Sequence, residues 1–165
     1  MARPKRVVGI SYTGPNAYFV TTCTRDRLTC FNDIDFGRSV VAALFDHSTR
    51  HRFAVSAYCL MPDHAHLLLS GQDESAALHP LIKAWKQSTG FAWSRGGRGR
   101  LWQEGYWERI VRDDEAVRSV ARYVVENPVR AHLVERVADY PLVGSGEFTL
   151  DAICAAVQLM PGWRN

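Results

Sequence analysis

The sequence predicts an α+β fold, a ferredoxin-like split β-α-β sandwich with a four-stranded antiparallel sheet and an additional C-terminal helix. Three observations predict it. Segments rich in aromatic and β-branched residues alternate with segments of helical periodicity in the order β-α-β-β-α-β. The two middle strands are joined by Pro62-Asp63 alone, a tight turn. No repeat or second domain boundary interrupts the 165 residues, so one domain is expected, with its core over about 16–136 and a tail over about 137–165.

Each element follows from local sequence. Asn16 to Thr24 (NAYFVTTCT) reads as a strand. Asp33 to about Arg50 reads as a helix with Phe36, Val40, Val41, Leu44 and Phe45 as its apolar stripe. Phe53 to Met61 and His64 to Ser70 are the paired middle strands. Ala76 to about Trp93 is the second helix, broken by Gly96-Gly97-Arg98-Gly99. A fourth strand is expected around Tyr106 to Val111. Asp113-Asp114-Glu115 then opens a third helix, since acidic side chains favour the positive end of the helix dipole. That helix is expected to stop near Glu126, because Asn127 precedes Pro128. After Tyr140-Pro141 the tail reads as a loop and one short helix, Leu150 to about Leu159.

Composition is ordinary for a globular chain, 47% hydrophobic and 22% charged. Cys23, Cys30, Cys59 and Cys154 form no CxxC pair, which fits buried thiols in a reducing cytoplasm. The basic start, Met1 to Arg6, is followed by no long apolar stretch, so neither a secretory signal nor a membrane span is expected. Net charge is +3, but Lys83, Lys86, Arg95, Arg98, Arg100, Arg109 and Arg112 face only Glu104 and Glu108 across one stretch. Trp85, Phe91, Trp93, Trp102, Tyr106 and Trp107 are interleaved with these cations. Such a block suits a phosphate backbone with stacked bases, or else a solvated face above core aromatics.

The chemistry gathers in two motifs. Side chains alternate along a strand, so in Asp63-His64-Ala65-His66-Leu67 the two imidazoles share a face, while Ala65, Leu67 and Leu69 face the first two helices. The third helix is expected to cover the histidine face. On it Tyr123 and Asn127, at i and i+4, lie on one side. Two imidazoles and an amide oxygen could hold a divalent metal with open positions, and a nearby phenol could be a nucleophile. Each motif alone is weak: an H-x-H pair arises readily by chance in a chain with six histidines, and a helix tyrosine is most often a packing residue.

Beyond these residues the chain resembles a known family. PDHAHLLL is similar to the HUH motif (His, bulky apolar, His) of the single-tyrosine transposases related to insertion sequence 200. LWQEGYWERIVRDDEAVRSVARYVVENPVRAHLVERVADYP is similar to the REP-associated tyrosine transposases in particular, and the resemblance runs roughly from Asn16 to Pro141. It implies that His64 and His66 bind a divalent metal, Mg2+ or Mn2+, that Asn127 stands where relatives place a third ligand, and that Tyr123 cleaves single-stranded DNA through a 5′-phosphotyrosine. The implied partner is single-stranded or hairpin DNA such as a repetitive extragenic palindrome, bound at the nucleoid by a protein of a group that tends to act as monomers, while the homodimer of the classical transposases stays open. Lys83, Lys86, Arg95, Arg98, Arg100, Arg109, Arg112, Arg122 and Arg130 are the expected DNA contacts. Two positions depart from the pattern: Ala65 is small, and His132 stands where relatives commonly have glycine. Three other readings fit parts of the sequence: a catalytically silent, domesticated hairpin-binding protein, a replication-initiator nuclease and a ferredoxin-like small-molecule binder.

Overall fold

The computed structural model describes residues 12–155. β1 (Ala17–Cys23), α1 (Ile34–Arg50), β2 (Phe53–Met61), β3 (His64–Gly71), α2 (Leu78–Ser94), β4 (Trp107–Val111), α3 (Asp114–Arg130), β5 (Val143–Gly144) and α4 (Leu150–Ala155) follow in chain order. The strands form one antiparallel sheet in the order β4-β1-β3-β2-β5. β3 is therefore central, as a run of HAHLLL needs if both its faces are to be covered.

Strand alternation sorts the interior into two layers. Tyr18, Val20, Leu60, Ala65, Leu67 and Leu69 point to one side, where α1 and α2 supply Val40, Leu44, Leu81, Ile82 and Trp85. Phe19, Ala57, Cys59, Met61 and Leu68 point to the other, where α3 supplies Val120, Ala121, Val124 and Val125. A fully buried aliphatic side chain contributes about 1.5–3 kcal/mol, so both layers are substantial. The third helix thus covers the face that the first two leave.

Three expectations need correction. The sheet has five strands rather than four: the tail returns along β2, pairing Cys59 with Val143 and Tyr58 with Gly144. Leu142 lands against Gly37 of α1, where any Cβ would lie 2.4 Å from a Leu142 methyl. The second helix begins at Leu78, not Ala76, because Ala77 is extended and bridges Thr13. The third helix does not stop before Pro128 but runs to Arg130. Proline removes the N–H that Val124 O would accept, and the Asn127 amide nitrogen stands 3.5 Å from that oxygen and 2.7 Å from Tyr123 O. The side chain of the residue before the proline thus supplies donors at the carbonyls where the ladder is interrupted. Lastly, α4 is described only to Ala155; the expected continuation to Leu159 lies outside the described residues, as does the basic start. All four cysteines are free thiols.

Candidate active site

Register brings the site together. β1 pairs Thr21 with His66 and Cys23 with His64, and β4 pairs Trp107 with Thr21. His64 and His66 project from β3 to the α3 side. Their Nε2 atoms stand 3.1 Å apart, with the rings nearly perpendicular. Each Nδ1 is already engaged: Asp63 Oδ1 lies 2.6 Å from that of His64, and Thr21 Oγ1 lies 2.9 Å from that of His66. An ionised carboxylate only accepts, so the proton of neutral His64 sits on Nδ1 and its Nε2 carries the lone pair. A hydroxyl both donates and accepts, so Thr21 can serve either tautomer of His66.

Electrostatics keep His66 neutral. Burial, and then the charges of His64 and Arg27, push His66 down to about 3. It is therefore neutral at physiological pH, as a metal ligand must be. Partial burial raises the Asp63 carboxyl, but the hydrogen bond and charge of His64 and the Arg27 guanidinium outweigh it and leave the group below its ordinary value.

Two Nε2 atoms 3.1 Å apart, each ring held from behind, fit a divalent metal once His66 carries its proton on Nδ1, which Thr21 can accept. Among the described residues no group of three His, Cys, Asp or Glu side chains converges as a metal site. A third protein ligand must then be another kind of donor. Asn127 is such a donor, one turn beyond Tyr123 on α3. Its neighbour Tyr123 O is an acceptor, so the atom facing it must be the NH2, which leaves Oδ1 as the atom able to ligate.

Tyr123 closes the site from α3. Its ring lies edge-on to His66 and to Phe19, each at 5.9 Å between centroids. The Arg130 guanidinium stands 5.3 Å from the Tyr123 ring centre. The competing tyrosines are committed elsewhere. Tyr58 packs on the far layer against Phe45. Tyr106 bonds His79. Tyr140 donates to Leu60 O at 2.8 Å, and burial pushes its phenol up.

The expected DNA contacts are divided between the two sides of the sheet. Arg109 shares a row with Phe19 and Leu68 on the histidine side, and Arg122 and Arg130 ride on α3. Arg122 is engaged by Glu126 at 2.6 Å. Lys83, Arg95, Arg98 and Arg100 belong to α2 and the loop beyond it, on the other side. Lys86 is built into that loop: its Nζ donates to Gln103 O and Gly105 O at 2.9 and 2.6 Å, and burial pushes it down to about 8. Arg112 is exposed between β4 and α3. The aromatics of the block are mostly core, since Trp85, Trp93 and Trp102 are buried, while Phe91 and Trp107 are exposed. A cleft of about 570 Å³ lies between α2 and residues 99–106, away from His64 and His66. A second, of about 460 Å³, holds Arg25, Arg27 and Arg100. Thr21 and Arg27 were missed by sequence reasoning as site residues; only strand pairing and a loop reversal bring them there.

The chain has relatives among known proteins. The sequence profile described as "Transposase IS200 like" matches residues 16–127, and the chain belongs to that family. A protein of Haemophilus influenzae, named as a candidate REP-associated tyrosine transposase, is 29% identical over 143 residues, covering 79% of this chain and 80% of the relative. The REP-associated tyrosine transposase of Escherichia coli K12 is 29% identical over 92 residues, 54% of this chain and 52% of the relative. Among solved structures, that of a REP-associated tyrosine transposase bound to a REP hairpin superposes with a TM-score of 0.70 at 21% identity, covering 87% of this chain and 82% of the other. The fold is therefore that of the tyrosine transposases, and the chain is of the transposase type. Among the described residues no helix is long and apolar enough to cross a membrane.

Proposed function

We propose that the protein binds hairpin DNA and nicks and rejoins its single-stranded flank by transesterification, with Tyr123 as nucleophile. One observation carries this reading: the Tyr123 ring packs against His66, whose Nε2 meets that of His64. The hairpin as partner is drawn from a fold-mate whose structure was solved with a REP hairpin. A substrate of that kind places the protein's work at the nucleoid.

His64 and His66 would hold the metal through Nε2, with Asn127 Oδ1 as third ligand. Two imidazoles favour Mn2+ over Mg2+, which prefers an all-oxygen shell. When bound, such an ion polarises a phosphodiester oxygen and takes up charge developing there. The rest falls to the chain's own residues. The Tyr123 phenol, its ring fixed by Phe19 and His66, loses its proton and attacks phosphorus through Oη. The P–O3′ bond breaks, the 3′ oxygen leaves and takes up a proton, and the 5′ phosphate stays on tyrosine. The Arg130 guanidinium, 5.3 Å from the ring centre, is placed to balance phosphate charge. A phosphotyrosine keeps the energy of the broken diester, so rejoining needs no nucleotide cofactor.

The test is a denaturing gel with labelled hairpin DNA and Mn2+. Wild-type protein should give a covalent adduct and a free 3′ hydroxyl. Tyr123→Phe, which removes one oxygen and little volume, should give none while keeping its melting temperature. An adduct of wild-type yield in Tyr123→Phe overturns the nucleophile. Hairpin binding without any wild-type adduct leaves a silent hairpin-binding protein instead.

A further inference from the structure

We infer that Arg27 and Asp63 form a positioning relay that fixes the tautomer and orientation of His64; the inference rests on the metal reading given above. Asp63 uses both carboxylate oxygens. Oδ1 meets His64 Nδ1 at 2.6 Å, and Oδ2 accepts from Arg27 Nη1 at 3.2 Å. Metal-bound imidazoles characteristically hold a carboxylate on their second nitrogen, and a carboxylate itself pinned by a cation cannot swing away. His66 has only a hydroxyl behind it, so the fixed member of the pair is His64.

The chain goes to some length to bring Arg27 there. Asp26 and Arg27 are consecutive non-glycine residues at φ 53° and 56°. L residues adopt that left-handed region reluctantly, and such outliers cluster where function holds them. The reversal is anchored by Thr24, which is buried; its N–H and its hydroxyl both donate to Asp63 O, at 2.9 and 2.8 Å. Phe31 N donates to Pro62 O at 3.1 Å from the far end of the same segment. The 24–31 loop is thus fastened to the backbone of the very turn that launches β3, so the loop and the histidine move as one piece. An ordinary half-exposed ion pair needs none of this construction.

The first test needs no metal. A long-range 1H–15N spectrum of the histidine rings reports which nitrogen carries the proton. His64 should be Nδ1-protonated in the full-length wild type and should shift toward the Nε2–H form in Asp63→Ala. The second is calorimetric titration with Mn2+ alone. Asp63→Ala should weaken binding by about 10–100-fold. Arg27→Ala should weaken it by less, Arg27→Lys should recover part of that loss, and Arg27→Ala should weaken it no further in the Asp63→Ala background. The sign for Arg27 is decisive, because removing a nearby positive charge would by field alone tighten binding of a dication. Tighter binding in Arg27→Ala, or wild-type His64 in the Nε2–H form, overturns the relay. Unchanged affinity in both single variants beside a metal-binding wild type also overturns it and leaves the metal reading standing. A wild type that takes up no Mn2+ overturns the metal reading and the relay with it.

Discussion

His132 shows how a single departure is absorbed. Leu133 N donates to Pro128 O at 2.9 Å and His132 N to Val129 O at 3.0 Å, the paired bonds of a Schellman motif. That motif needs a left-handed residue, and His132 supplies it at φ 57°. The turn keeps its shape without the glycine that relatives commonly carry, at a steric cost of about 1–2 kcal/mol. His132→Gly relieves that cost but adds chain entropy, so it should stabilise by about 0.5–1 kcal/mol, read as a higher denaturant midpoint at unchanged slope. An unchanged or lower midpoint would show that the imidazole makes up for its own strain. At the proposed metal site, His64→Ala should abolish Mn2+ uptake and adduct formation yet leave hairpin affinity within a few-fold, because phosphate contacts supply most of it. The side chains readable in sequence were those fixed by short-range rules: His64 and His66 by alternation, Tyr123 and Asn127 by helical spacing. Thr21 was not readable, because its place against His66 depends on pairing across 45 residues.

The elements were legible wherever local signals agreed. Asp113 accepts from Ala116 N at 2.7 Å and opens α3 where the acidic run predicts. The end of α3 was misread because the proline rule weighs the lost N–H and neglects a side chain able to take its place. Asn127 has that role and, as the proposed third ligand, would offer its oxygen, so the two roles can be separated. In Asn127→Asp the carboxylate faces Tyr123 O without a donor, which should cost about 1–3 kcal/mol in the presence of a chelator. The same carboxylate is a stronger metal ligand, so Mn2+ should raise the melting temperature of the variant more than that of the wild type. Equal shifts in the two proteins would remove Asn127 from the ligand set. The fifth strand had no comparable signal, since Val143–Gly144 is a two-residue pairing that only the packing of Leu142 onto Gly37 brings to the edge of β2.

Across the whole molecule, cations that form one basic block along the chain are parted by the sheet into two surfaces joined at a corner. The corner is the end of β1, where Thr24 bridges Trp102 and Gln103 N donates to Cys23 O at 2.9 Å. There Arg25, Arg27 and Arg100 share a cleft, on the way from the α2 loop to the turn before His64. A hairpin seated on the loop side could send its single strand round this corner to Tyr123. The cations then differ in kind. Arg100 is exposed and able to meet phosphate, whereas Lys86 spends its ammonium on two carbonyls of the protein. Each neutralised phosphate on a single strand adds about 0.7 to the slope of log affinity against log salt. Arg100→Gln should therefore lower that slope by about this amount and leave the denaturation midpoint in place. Lys86→Gln should do the opposite, lowering the midpoint as the 101–106 loop loses its anchor while the slope stays unchanged. The measurements are hairpin affinity across a salt series and chemical denaturation of the same proteins. A slope unaltered by Arg100→Gln would take the DNA path away from the corner and back to the open edge at β4, where Trp107 and Arg109 would be the next residues to change.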